Sequence, residues 1–130
     1  MLDIRHISKT FGKLEVLKNV HIGFERGQAV AIIGPNGSGK TTLIKSILGM
    51  VVPERGSIAF QGQTIGQDAG YRRHIGYMPQ IGRYPDNMQI GQLFDMMRDL
   101  RNDTDTTLDE ELIHAYRLPD IYQKSMRTLS

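Results

Sequence analysis

Eight consecutive residues, Gly34-Pro35-Asn36-Gly37-Ser38-Gly39-Lys40-Thr41, carry the clearest chemistry in the chain. They match the pattern G-x-x-x-x-G-K-[ST], whose glycines let the backbone curl until successive N–H groups point inward as an anion nest. Lys40 supplies a full positive charge for the outer phosphates of a nucleotide, and the Thr41 hydroxyl can take one position on Mg²⁺. A helix beginning at this point would set its positive N-terminal end against the same phosphates. These residue types at this spacing imply binding of a nucleoside triphosphate.

Such a loop works only between a strand and a helix, and the flanking sequence supplies candidates for both. Gln28-Ala29-Val30-Ala31-Ile32-Ile33 is a nearly continuous apolar run, the pattern of a strand buried on both faces of a parallel sheet. After the loop, Leu43, Ile44, Ile47 and Leu48 share one helical face, with Gly49 placed as a C-cap and Pro53 soon after. Ahead of the loop, Leu2 and Ile4, then Val20, Ile22 and Phe24, alternate with polar neighbours and predict β structure. Turns are expected at Glu25-Arg26-Gly27 and Pro53-Glu54-Arg55-Gly56, followed by strands at Ser57–Phe60 and Ile75–Met78 with a helical turn near Tyr71 between them.

The last third reads as helical. Ile90, Leu93, Phe94 and Met97 form one apolar stripe. A second helix starts at the capping box Thr107-Leu108-Asp109-Glu110, carries Leu112, Ile113 and Tyr116, and is broken by Pro119; residues 102–106 are a polar connector. His6, His21, His74 and His114 have no ligand spacing along the chain and read as ordinary surface or partly buried residues. Met88, Met96 and Met97 read as packing.

Composition narrows the class. One small domain is all that 130 residues allow, and a formal net charge of +2 is too slight and too evenly spread for a nucleic-acid surface. The lack of cysteine excludes a disulfide scaffold and thiolate metal sites. No apolar run approaches the ~20 residues that span a bilayer, and Met1–Arg5 is not a secretory signal, so the expectation is a soluble cytoplasmic chain.

Four elements in order resemble the ATP-binding subunit of ABC transporters, and the resemblance covers the whole chain. The phosphate loop follows a lead of more than thirty residues containing Ser8-Lys9-Thr10-Phe11-Gly12, which looks like the segment with the adenine-stacking aromatic. Gln80 lies forty residues after Lys40, behind Tyr77-Met78-Pro79, and looks like the glutamine of the Q-loop. Met126-Arg127-Thr128-Leu129-Ser130 looks like the approach to the signature sequence. The stretch Ile81–Asn87 is similar to exporter-type ATPases, including the copper-handling subunit that accompanies nitrous-oxide reductase.

The resemblance implies an α/β P-loop NTPase fold of ABC type, with an antiparallel β lead (1–28), a P-loop strand and helix (29–50), a β segment (57–80) and a helical subdomain (81–130). It implies ATP and Mg²⁺ as ligands. Phe11 would stack on adenine, where such contacts contribute roughly 1–3 kcal/mol, although burial in the core is the common fate of a phenylalanine. Asn36, Gly37, Ser38, Gly39, Lys40, Thr41 and Thr42 would wrap the phosphates. Gln80 would coordinate Mg²⁺ or position water, and its bland alternative is an exposed loop glutamine. Lys40 and Gln80 are then the candidate catalytic groups, and Thr41 and Gln80 the metal ligands. Membrane permease subunits, met through residues 81–118, and a second copy of the ATPase subunit are the implied partners, with the chain peripheral to the inner membrane. The helix near residue 90 departs from the family's Thr-x-x-Glu cap with Gln89-Ile90-Gly91-Gln92, a change expected to cost about 1–2 kcal/mol of local stability.

The strand-end Asp, catalytic Glu, switch His and full signature needed for hydrolysis are not found in residues 1–130, so the expectation is a truncated ABC domain. Two further readings stand beside this one. A soluble ATPase of the same superfamily in translation or repair would carry tandem copies or long insertions. A P-loop kinase would need an arginine-rich lid, for which only Arg72, Arg73 and Arg83 are candidates.

Overall fold

The computed structural model describes residues 1–130 except 67, 68, 81, 83, 102–106, 129 and 130, and gives only the backbone of 101 and 107–109. The chain divides into two compact units, Met1–Gly76 and Tyr77–Ser130.

The first unit is built on an antiparallel sheet of four strands in the order β2-β1-β3-β4: β1 Leu2–Phe11, β2 Leu14–Phe24, β3 Arg55–Phe60 and β4 Gln63–Thr64. Alternation in β1 and β2 pairs Ile4 with Ile22 and Ile7 with Val20, while β3 sets Ile58 opposite Ile4. The register slips between Ile4 and Ile7 because His6 takes a positive φ of 53°, forming a bulge. Gly56 makes the matching close approach: a Cβ there would collide with the backbone of Arg5 and His6.

Across one sheet face lies α1, Lys40–Ile47, the helix that follows the loop. Leu43 joins Ile4, Ile7, Leu17 and Ile58 in the core, with Ile47 packed against them. Each such side chain removed from water contributes roughly 1.5–3 kcal/mol, which fixes α1 to the sheet through its apolar stripe. The C-terminal end closes as expected at Gly49, with φ 66°. A short 3₁₀ turn, Gly70–His74, returns to this end, where the Tyr71 hydroxyl donates to the Ile47 carbonyl and Arg72 Nη2 to the Gly49 carbonyl.

Two expected strands are absent. Residues 28–33 form no ladder, and Val30, Ile32 and Ile33 are exposed, Ile33 at 91%. An apolar run can pair only where neighbouring strands lie on its edges, and no described residue pairs with it. Residues 75–78 are likewise extended without pairing, and Met78 is exposed. The strand at Ser57–Phe60 begins two residues earlier than expected.

In the second unit, α2 (Ile90–Arg101) and α3 (Thr107–Ala115) bury Ile90 and Ile113, whereas Met97, Leu112 and Tyr116 are exposed. The start of α2 is better held than its sequence suggests. Gln92 Oε1 accepts from the Gln89 N–H at 2.9 Å, half of a capping box. The next two amides, of Ile90 and Gly91, donate to the carbonyls of Lys124 and Tyr122, each at 3.0 Å. A Cβ on Gly91 would lie 3.4 Å from the Tyr122 carbonyl oxygen, an ordinary van der Waals contact. The expected weakness of the cap is thus offset by main-chain bonds from residues distant in sequence. Gln89 also bridges to Ser125, and the Met126 N–H donates to the Met88 carbonyl. Residues Met126–Thr128 form a 3₁₀ turn. Leu129, Ser130, the connector 102–106, Ile81, Arg83 and the side chains of the capping box at 107–109 lie outside the described residues.

Candidate nucleotide-binding site

The loop Gly34–Gly39 enters α1 with no side-chain cap, since Gly39 stands at the N-cap with φ 90° and leaves the first amides of the helix free of a hydroxyl or carboxylate. Gly37 has φ 82°. Side-chain-bearing residues visit this region at a cost of roughly 1–2 kcal/mol, so both glycines serve the curl of the loop. Inside the curl, the Ser38 N–H donates to the Pro35 carbonyl at 3.2 Å and the Leu43 N–H to the Gly39 carbonyl at 2.8 Å.

Lys40 folds back over its own loop. Its ammonium donates to the carbonyls of Gly34 and Pro35, both at 2.7 Å, and lies 3.4 Å from Ser38 Oγ. The charge therefore sits against the carbonyls of the first two loop residues. Thr41 is exposed, whereas Thr42 is half-buried and its carbonyl accepts from Ser46 Oγ at 2.9 Å. Ser46 is 1% exposed, and its hydroxyl is satisfied within the helix, an i−4 bond. Asn36 and Ser38 are exposed on the loop.

The sheet supplies the second wall. Gly39 approaches β2 so closely that a Cβ would meet the Val16 carbonyl oxygen at 2.8 Å. A groove of about 580 Å³ runs between β2 and the loop, lined by Leu14, Val16, Ile32, Gly37, Ser38 and Lys40 among others. Phe11 stands at the hairpin tip, paired with Leu14, half exposed and with the Lys9 ammonium 5.4 Å from its ring centre. It is half exposed rather than a core residue, with the Lys9 ammonium over its ring. Leu14 and Val16 were not evident from the sequence as groove residues. Their alternation along a strand is the only local signal, and it does not tell which face meets the loop.

Among the described residues no three His, Cys, Asp or Glu side chains gather as a metal site, which leaves oxygen donors such as the Thr41 hydroxyl and phosphate for a hard cation. Gln80 is exposed in the second unit. The arrangement of nest, ammonium and Thr41 hydroxyl suits a phosphate chain with Mg²⁺, and the half-exposed ring and apolar groove wall suit a base.

Residues 17–130 match the family described as ABC transporter. The chain belongs to the ABC transporter ATP-binding family. It is 33% identical along its whole length to the ABC transporter ATP-binding protein YtrB of Bacillus subtilis, covering 44% of that protein. Over 80 residues it is 46% identical to the zinc import ATP-binding protein ZnuC of Chromohalobacter salexigens, covering 62% of this chain and 30% of that one. A solved ATP-binding subunit of an ABC transporter superposes with TM-score 0.86 at 26% identity, over 99% of this chain and 55% of that structure. The chain therefore spans about half the length of the two proteins it matches along its whole length. ABC ATPases bind ATP, and the α/β P-loop architecture is that of the family. No helix among the described residues is long and apolar enough to cross a membrane. Family membership sets the kinase reading aside, and Arg72 is in any case engaged at the end of α1.

Proposed function

We propose that this chain binds ATP·Mg²⁺ as part of the ATPase subunit of an ABC transporter. The observation that carries the reading is the Lys40 ammonium held over the glycine-lined nest at the start of α1, beside the Val16 wall. In this proposal Ser38, Gly39, Lys40, Thr41 and Thr42 contact the phosphates, Asn36 and Gly37 shape the loop, and Phe11 stacks on adenine. Thr41 supplies one metal oxygen. The role of Gln80 as metal ligand and catalytic group rests on the family resemblance alone. Family membership supports permease subunits as partners through residues 81–118, a second ATPase copy, and a place at the cytoplasmic membrane surface. The similarity of 81–87 to the exporter subgroup remains part of the same proposal.

Calorimetry with ATP and AMP on Lys40→Ala and Phe11→Ala tests the assignment. Removing the ammonium is expected to weaken ATP by tenfold or more and AMP little, because only the longer chain reaches Lys40. Removing the ring is expected to weaken both by about the same factor, in the range of roughly 1–3 kcal/mol. Equal loss of ATP and AMP in the Lys40 variant would refute the phosphate role.

A further inference from the structure

The four histidines have no ligand spacing along the sequence, yet the hairpin register brings two of them together. His6 on β1 and His21 on β2 stand with ring centroids 5.0 Å apart and planes tilted by 30°, both exposed. They lie fifteen positions apart in the chain, so only the bulged antiparallel pairing reveals the pair.

Two features make this more than a chance stack. First, two imidazoles bound to one zinc ion at about 2.0–2.1 Å near the tetrahedral angle hold their ring centres roughly 5 Å apart, which is the separation seen. Second, one ring is already oriented. His6 Nδ1 lies 2.9 Å from Asn19 Oδ1, and in the tautomer that donates from Nδ1 to this oxygen the Nε2 lone pair is left for a metal ion. A ligating imidazole whose other nitrogen donates to an oxygen is the usual outer-shell arrangement of metal sites. Both His6 and Asn19 hold positive φ, 53° and 48°, so the bulges turn these two side chains toward one another.

We propose that His6 and His21 form a two-imidazole site for a borderline divalent transition metal of the zinc class, with Asn19 as a positioning residue and water completing the coordination. The site is separate from the phosphate loop in chemistry, since Mg²⁺ takes oxygen ligands and this pair offers nitrogen. Nothing in it depends on ATP binding.

The test is a titration of the 130-residue chain with Zn²⁺ in excess Mg²⁺ and without nucleotide, followed by calorimetry and by the nitrogen-15 shifts of the imidazoles. One Zn²⁺ per chain is expected, with the His6 Nε2 and a His21 ring nitrogen shifting together. His6→Asn, which suits a positive φ, and His21→Gln should each weaken binding at least tenfold. Asn19→Gly keeps the backbone conformation and both imidazoles, and should weaken it by about 10–100-fold, the effect of losing an outer-shell partner. Gln in place of His114 should change nothing. Unchanged affinity in the His6→Asn, His21→Gln double variant, or no uptake at millimolar zinc by the unaltered chain, overturns the proposal.

Discussion

Alanine at Gly39 and alanine at Gly37 separate two demands that the phosphate loop makes on its glycines. Both positions have positive φ, 90° and 82°, so either substitution carries a backbone penalty of roughly 1–2 kcal/mol. Only Gly39 also faces a wall. Its Cβ would sit 2.8 Å from the Val16 carbonyl oxygen and 3.2 Å from Leu17 Cδ2, while nothing lies within 4 Å of a Cβ on Gly37. Val16 sits at a bulge, but its neighbours Glu15 and Leu17 pair with Thr10 and Lys9, so β2 keeps its place and the loop withdraws until ordinary contact near 3.4 Å is restored. That withdrawal tilts the first amides of α1 away from the nest. Gly37→Ala is expected to lower ATP affinity by about tenfold, a loss of ~1.4 kcal/mol. Gly39→Ala is expected to lower it by a further tenfold or more, and to lower the melting temperature because Leu17 belongs to the core. Calorimetry with ATP and a thermal melt on the two variants decide the matter. Equal losses in both, with unchanged melting, would mean that the β2 wall does not shape the site.

Two further outcomes follow from the fold. Gly91→Ala should raise stability by about 0.5–1 kcal/mol in denaturant unfolding, because alanine is the better helix former and its Cβ meets Tyr122 only at 3.4 Å, an ordinary contact; a loss of stability would show that the approach tolerates no methyl. Ile33→Lys should reduce light scattering of the concentrated 130-residue chain while shifting stability by no more than about 0.5 kcal/mol, since Ile33 is 91% exposed in an unpaired apolar run; undiminished scattering would place the sticky surface elsewhere.

What could be read from the sequence was local in origin. The phosphate loop, the stripe Leu43–Ile47 and the cap at Gly49 depend on contacts within a few turns, and each is found where the spacing placed it. The hairpin alternation of Val20, Ile22 and Phe24 held for the same reason. The apolar runs at 28–33 and 75–78 announced a tendency to be buried, but a ladder needs a partner that no local pattern names. Val16 beside Gly39 and His21 beside His6 depend on strand register, which the bulge at His6 shifts. Gly91 looked like a flaw in a helix start because the residues that satisfy that start, Tyr122 and Lys124, are more than thirty positions away.

The ties that hold the beginning of α2 to residues 122–126 run largely between peptide groups: Ile90 to Lys124, Gly91 to Tyr122, Met126 to Met88. Peptide groups are common to every residue except proline, which lacks the donor. Side chains along this seam can therefore change in type, charge and size while the joint keeps its geometry. Mutational drift here is nearly silent to architecture, and a tolerance of this kind allows a chain sharing a quarter of its residues with another to superpose closely over nearly all of its own length. Proline at Ile90, Gly91 or Met126 is the change that drift cannot absorb.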